Sequence, residues 1–206
     1  MLRCAALAVA LLTLAGCESL GKRADSLGPR SASNATPSAS SSSSSPSSDA
    51  EVYVDCSGGF SVDFPRRASK LERERIDEEG VKGILVSRNL PDVELAVGWS
   101  QMPADVVKAK GAVRLLRDVE QGRTADTEIV DEEKISEATG AQTLAYTFHR
   151  APNLGDKDGP AEGRVLLVLT RGGMLYQVQA LGHVRGTANR AEVKAFVESF
   201  QLVHCK

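Results

Sequence analysis

From residue 51 onward the chain is dominated by alternation of apolar and polar side chains. Phe60, Val62 and Phe64 alternate with Ser61 and Asp63, the period of a half-buried strand, and Pro65 ends the run. A short, partly apolar stretch at 52–55 precedes it across the turn-forming Ser57-Gly58-Gly59. Residues 69–77 mix charges around Leu71 and Ile76, which helix propensity would tolerate. Asp77-Glu78-Glu79-Gly80 ahead of the apolar 81–86 instead points to a hairpin. Val93, Leu95, Val97 and Trp99 alternate cleanly with Glu94, Ala96, Gly98 and Ser100, the clearest early strand.

The period then changes. After Pro103, which suits a first helical turn, Val106, Ala109, Val113 and Leu116 recur at helical spacing, widened by Val107, Ala112 and Val119. One helix ending near Gly122 is predicted, with Gly111 weakening it by about 1 kcal/mol relative to Ala. Residues 127–135 read as a polar strand, although the adjacent Ile129 and Val130 break the alternation. Leu144, Tyr146 and Phe148 mark another strand, and 152–163 a Gly/Pro/Asp-rich loop. The unbroken apolar run 165–169 suits a central strand covered on both faces. Gly172-Gly173 turns the chain into Met174, Tyr176, Val178 and Ala180, alternating with Leu175, Gln177, Gln179 and Leu181. Asn189 with Glu192 resembles a capping box opening a second helix, whose stripe is Val193, Phe196, Val197 and Phe200. Strands joined by tight glycine turns imply a mostly antiparallel sheet. With two main helices to cover it, the class is α+β.

Ahead of this region lie two segments of other character. Residues 31–48 hold serine at 11 of 18 positions, a composition that cannot bury enough apolar surface to fold. Before them, Arg3 is followed by an apolar run from Ala5 to Leu14 that is too short to span a bilayer and reads as a secretory signal. That run ends in Leu14-Ala15-Gly16-Cys17, which resembles the lipobox of bacterial lipoproteins. The resemblance implies removal of residues 1–16 and a lipid on Cys17, with 17–50 as a flexible tether and 51–206 as one globular domain. More than one acyl chain would make the anchor firm, at about 0.8 kcal/mol per buried methylene. It also implies a bacterial envelope protein held to a membrane by its lipid. Glu18 stands where Asp retains some lipoproteins in the inner membrane, so the expected address is the outer membrane, facing the periplasm.

The segment Gly58-Gly59-Phe60-Ser61-Val62-Asp63-Phe64-Pro65 is similar to the start of PsbP/Mog1-like domains. The late strand with Leu175-Tyr176 and the close Val197-Glu198-Ser199-Phe200-Gln201-Leu202 are similar too. This resemblance implies an antiparallel sheet between helices, an α/β/α sandwich, and no single activity, because the fold serves adaptor and assembly proteins.

Charge and cysteines narrow the chemistry. From 51 to 206 there are 21 Lys+Arg against 24 Asp+Glu, interspersed in sign. With no basic patch and no reading motif, nucleic acid is not an expected partner. Cys4 leaves with the signal, and Cys56 and Cys205 stand at the two ends of the domain. In an exported protein a Cys56–Cys205 disulfide is the first reading; two buried thiols or a metal pair are the alternatives. His149, His183 and His204 are far apart in sequence, as solvated histidines at strand ends would be. Asp156-Lys157-Asp158-Gly159 hints at calcium, but an EF-hand register puts Leu154 and Val165 at ligand positions where neither supplies a side-chain oxygen. No catalytic motif stands out, and no cofactor is expected. The reading is a non-catalytic binding or assembly module with a protein partner. A small-molecule binding domain is the alternative, and an envelope hydrolase a lesser one.

Overall fold

A computed structural model describes residues 49–78, 81–124, 128–132, 136–138, 140–150 and 161–205. Cys17, the serine tract, Ile135 and the Asp156–Gly159 segment lie outside them. Within these residues the fold is α+β, with eleven strands and three helices. The strands are β1 (Ala50–Asp55), β2 (Phe60–Pro65), β3 (Glu72–Glu78), β4 (Val81–Leu90) and β5 (Val93–Gln101), followed by β6 (Glu128–Glu132) and β7 (Ser136–Ala138). The later ones are β8 (Ala141–Arg150), β9 (Ala161–Thr170), β10 (Met174–Gly182) and β11 (Gln201–Leu202). Helices α1 (Ala104–Lys110) and α2 (Ala112–Thr124) follow β5, and α3 (Ala191–Glu198) follows β10.

Every described strand pair is antiparallel. The large sheet runs β3-β4-β5-β10-β9-β8-β6, with β7 also on β8, and a small sheet runs β1-β2-β11. The small sheet and α3 cover one face of the large sheet. Phe60, Val62 and Phe64 of β2 join Leu95 and Val97 of β5, Tyr176 and Val178 of β10, and Val193, Phe196 and Val197 of α3 in a first core. On the opposite face Leu115, Leu116 and Val119 of α2 pack on Leu144 and Tyr146 of β8 and on Val165, Leu167 and Leu169 of β9. Strand β9 therefore sits between two cores, with Val168 in the first and its odd-numbered neighbours in the second. That is why residues 165–169 carry no polar position.

Three expectations change in detail. The single helix after Pro103 is two helices, because Gly111 adopts φ 75° and interrupts it. A left-handed φ is open to glycine and strained for other residues. The apolar face is rotated after the break: Val113 is exposed, while Leu115, Leu116 and Val119 are buried, and Lys110 reaches Asp118 across the joint at 2.7 Å. The capping box at Asn189 does not form. Residues Thr187–Asn189 make a 3-10 turn, Arg190 becomes the N-cap without a side-chain cap, and Glu192 binds the Arg190 guanidinium at 2.6 Å instead. Phe200 lies past the end of α3, yet it stacks on Phe60 with ring centroids 5.8 Å apart. The broken alternation at Ile129-Val130 has a cause too. The β6–β8 register shifts between Ile129 and Asp131, the signature of a bulge.

The domain ends meet. Cys56 and Cys205 form a disulfide with Cα atoms 5.5 Å apart, closing a sequence separation of 149 residues. Chain-entropy estimates for so long a loop approach about 5 kcal/mol, and strain usually reduces the yield. Replacing both cysteines with serine is expected to remove about 2–5 kcal/mol from the urea unfolding free energy. Dithiothreitol should reproduce that loss in the parent chain and leave the double variant unchanged.

Candidate functional site

Residues facing the second side of the large sheet can be read across the strands from the pairing register. One row runs Glu72, Ser87, Ala96, Gln179, Val165, Tyr146. The next runs Glu74, Leu85, Gly98, Gln177, Leu167, Leu144, and another joins Asn89, Glu94, Leu181 and Gly163. In the first two rows the character changes at β10. From β9 onward the side chains are mostly apolar and lie under α2, whereas β3, β4 and β5 contribute none to the second core. Among the described residues, α2 packs on β8 and β9.

This polar half is nevertheless sheltered. Ala96 is fully buried, and Ser100 and Gln179 are nearly so. The small Ala96, Gly98 and Ser100 run down β5, with Ser87 and Leu85 on one flank and the longer Gln179 and Gln177 on the other. These short side chains make a low strip along β5, called the trough below, whose floor of Ala96, Gly98 and Ser100 is buried. The Gln177 Nε2 donates to Gln179 Oε1 at 2.9 Å, which holds the glutamine flank in place. Glu94 sits at one end. Burial pushes its carboxyl above the ordinary range, the charge of Glu72 adds to that, and His183 opposes it. A half-buried carboxylate with a raised pKa, set in a polar recess, is the kind of group that binding sites use.

A second polar cluster lies at the domain ends. Asp55 is 3% exposed and accepts from the hydroxyls of Ser57 and Tyr53 (3.1 Å) and from the Gly58 N–H (2.8 Å). Arg73 stands 3.3 Å from the same carboxylate and also donates to Ser57. Burial pulls the Asp55 carboxyl up, but these donors together outweigh it and hold it below the usual range. All of its partners are local or structural. Its product is the shape of the 55–59 turn, whose Gly58 carbonyl accepts from the Tyr176 hydroxyl at 2.6 Å and whose Gly59 carbonyl accepts from the Val203 N–H at 2.9 Å. A Cβ at Gly58 would fall 2.6 Å from Trp99 Nε1, so the turn packs too closely for any larger residue.

The expected site residues distribute as follows. Cys56 and Cys205 are brought together, and Cys17 lies outside the described residues. His149 is half-buried on β8, His183 and His204 are exposed, and Trp99 packs against the first core. No group of three or more metal-ligating side chains occurs among the described residues. The trough was not singled out from sequence. Its signal was present in the Glu94-Ala96-Gly98-Ser100 and Gln177-Gln179 alternations, but joining them needs the β5–β10 pairing across about 80 residues.

Neither a protein-family model nor a curated protein matches the chain. The Glu94 carboxylate is disfavoured by its surroundings, so Glu94→Gln is expected to raise the urea midpoint at pH 7.5. The penalty belongs to the ionised form. It should fade as pH falls from above the folded value toward the ordinary glutamate range near 4, bringing the two proteins together.

Proposed function

We propose that this chain is a lipid-anchored, non-catalytic envelope module that binds a partner through the polar trough on β5. The observation that carries the binding half is the change of character at β10, where a packed apolar face becomes a sheltered row of Ser, Gln and Glu around small residues. The anchoring half is supported by Leu14-Ala15-Gly16-Cys17 at the end of a short apolar run, followed by a tether whose composition keeps the domain free of the membrane surface. Among the described residues no helix is long and apolar enough to cross a membrane.

Membership among PsbP/Mog1-like domains belongs to the same proposal, as does a place at the outer membrane facing the periplasm. The β2 opening and the closing α3-to-β11 segment support the first, and Glu18 in place of Asp the second. The trough also keeps a small-molecule reading open, because Glu94 is shielded enough from water to have its carboxyl shifted.

Growth with radioactive fatty acid is expected to label the full chain, and Cys17→Ala is expected to abolish the label and move the protein from the detergent phase to the aqueous phase. Retention of label in that variant would refute the anchor. For the binding half, a photo-crosslinking residue replacing Gln177 in cells should capture a discrete species that the same residue at Val113 does not. Equal capture at both positions would refute the trough as the binding surface.

A further inference from the structure

The outer strands of the two sheets are protected very differently. Strand β3 ends the large sheet with the sequence ERERIDE, a run of charge that resists pairing with another chain. Strand β1 ends the small sheet with AEVYVD, and it carries neither Lys nor Pro. Its register places Glu51, Tyr53 and Asp55 on the side of Phe64, Val62 and Phe60, facing the core. Both acids there have their own cation, Arg88 for Glu51 at 2.8 Å and Arg73 for Asp55 at 3.3 Å. The other side presents Val52 and Val54, 59% and 51% exposed, two of the four large exposed apolar side chains among the described residues.

The backbone follows the same division. The Arg66 N–H donates to the Asp49 carbonyl at 3.1 Å, continuing the β1–β2 ladder, so the odd-numbered residues direct their amides toward β2. The even-numbered ones point away. The Ala50 carbonyl is capped from outside by Arg66 Nε at 3.2 Å, which leaves Val52 and Val54 as the open positions of this edge.

We infer that β1 pairs antiparallel with β1 of a second copy of this chain, joining two small sheets into one. The register that uses only the open positions sets Val52 opposite Val54 of the second copy, and Tyr53 opposite its Tyr53. Each Val52–Val54 pair exchanges both backbone hydrogen bonds, and the four valines close into one patch on the outer face. The like charges that this register opposes, Glu51 and Asp55 of the second copy, already hold their arginines. The two Ala50 positions lie about six residues apart along the joined strands, roughly 20 Å. The pairing stands apart from the anchor, because it uses only the folded edge.

The test places a photo-crosslinking residue at 54 in the full chain in cells, with position 113 as control because Val113 is also about half exposed. Expected is a product of twice the chain mass, made of this chain alone, several-fold stronger at 54 than at 113. It should disappear when the chain also carries Val52→Lys. The inference is overturned by no product at 54, by a product containing a different polypeptide, by equal dimer at both positions, or by a dimer that survives Val52→Lys. Fatty-acid labelling of the same samples reports on the anchor separately, and the dimer is expected in Cys17→Ala as well.

Discussion

The fold depends on holding the two ends of the domain together. A carboxylate, a disulfide and a two-residue strand do this at one place. Asp55 shapes the 55–59 turn, Cys56 within that turn bonds Cys205, and β11 pairs Gln201 with Ser61 and Leu202 with Phe60. Without the turn's conformation, Tyr176 would lose its acceptor at Gly58 and Val203 its acceptor at Gly59. The link matters because β2 carries the centre of the first core, and a short three-stranded sheet has little cohesion of its own. Burying Phe60, Val62 and Phe64 is worth about 1.5–3 kcal/mol per side chain, but only while the sheet stays seated on β5 and β10.

The seated sheet leaves the large sheet with two unequal faces. One is filled by β2, β11 and α3. The other is half filled by α2, whose start is set by the interruption at Gly111, and half lined by Ser, Gln and Glu. Both halves of that second face are built from the same strands, so the boundary is a matter of side chains. Strand β10 marks it, with Leu175 inside the second core and Gln177 and Gln179 beyond it. A domain that places glutamine and small residues at the centre of a sheet gives up large apolar side chains there, which is the physical basis for the proposal that it binds a partner.

Much of this was legible in the sequence because alternation reports burial directly. The strands at Phe60–Phe64, at Val93–Trp99 and at Met174–Ala180, together with the buried run in β9, were visible as periods of two or as unbroken apolar runs. The hairpin of β3 and β4 could also be read, since the acidic turn outweighed helix propensity. The α2 face could not. Helical spacing runs straight through Gly111, whereas the positive φ there rotates everything after it and exposes Val113. The capping box failed for a similar reason. Asn189 has the right chemistry, but a 3-10 turn held by the Glu162 carboxylate on the Gly186 and Ala188 amides moves the helix start past it. The trough was invisible because it exists only once β5 and β10 are neighbours. The Cys56–Cys205 link could be named as the first of three readings, because the two cysteines stand at the two ends of the domain, whereas the Arg73 contact to Asp55 could not, since Arg73 comes from another strand.

The central claim is that the Asp55 carboxylate, in its ionised form, fastens the ends of the domain. Its direct test is the urea midpoint of the parent chain and of Asp55→Asn, with the disulfide intact, across pH 2 to 8. A carboxyl held below its ordinary value contributes stability that is complete above the unfolded value near pH 4 and is lost as pH falls through the folded value. The account therefore predicts a deficit in the variant of about 1.5–3 kcal/mol at neutral pH, shrinking at the acid end. A deficit of the same size at every pH, or none at pH 7, would contradict it.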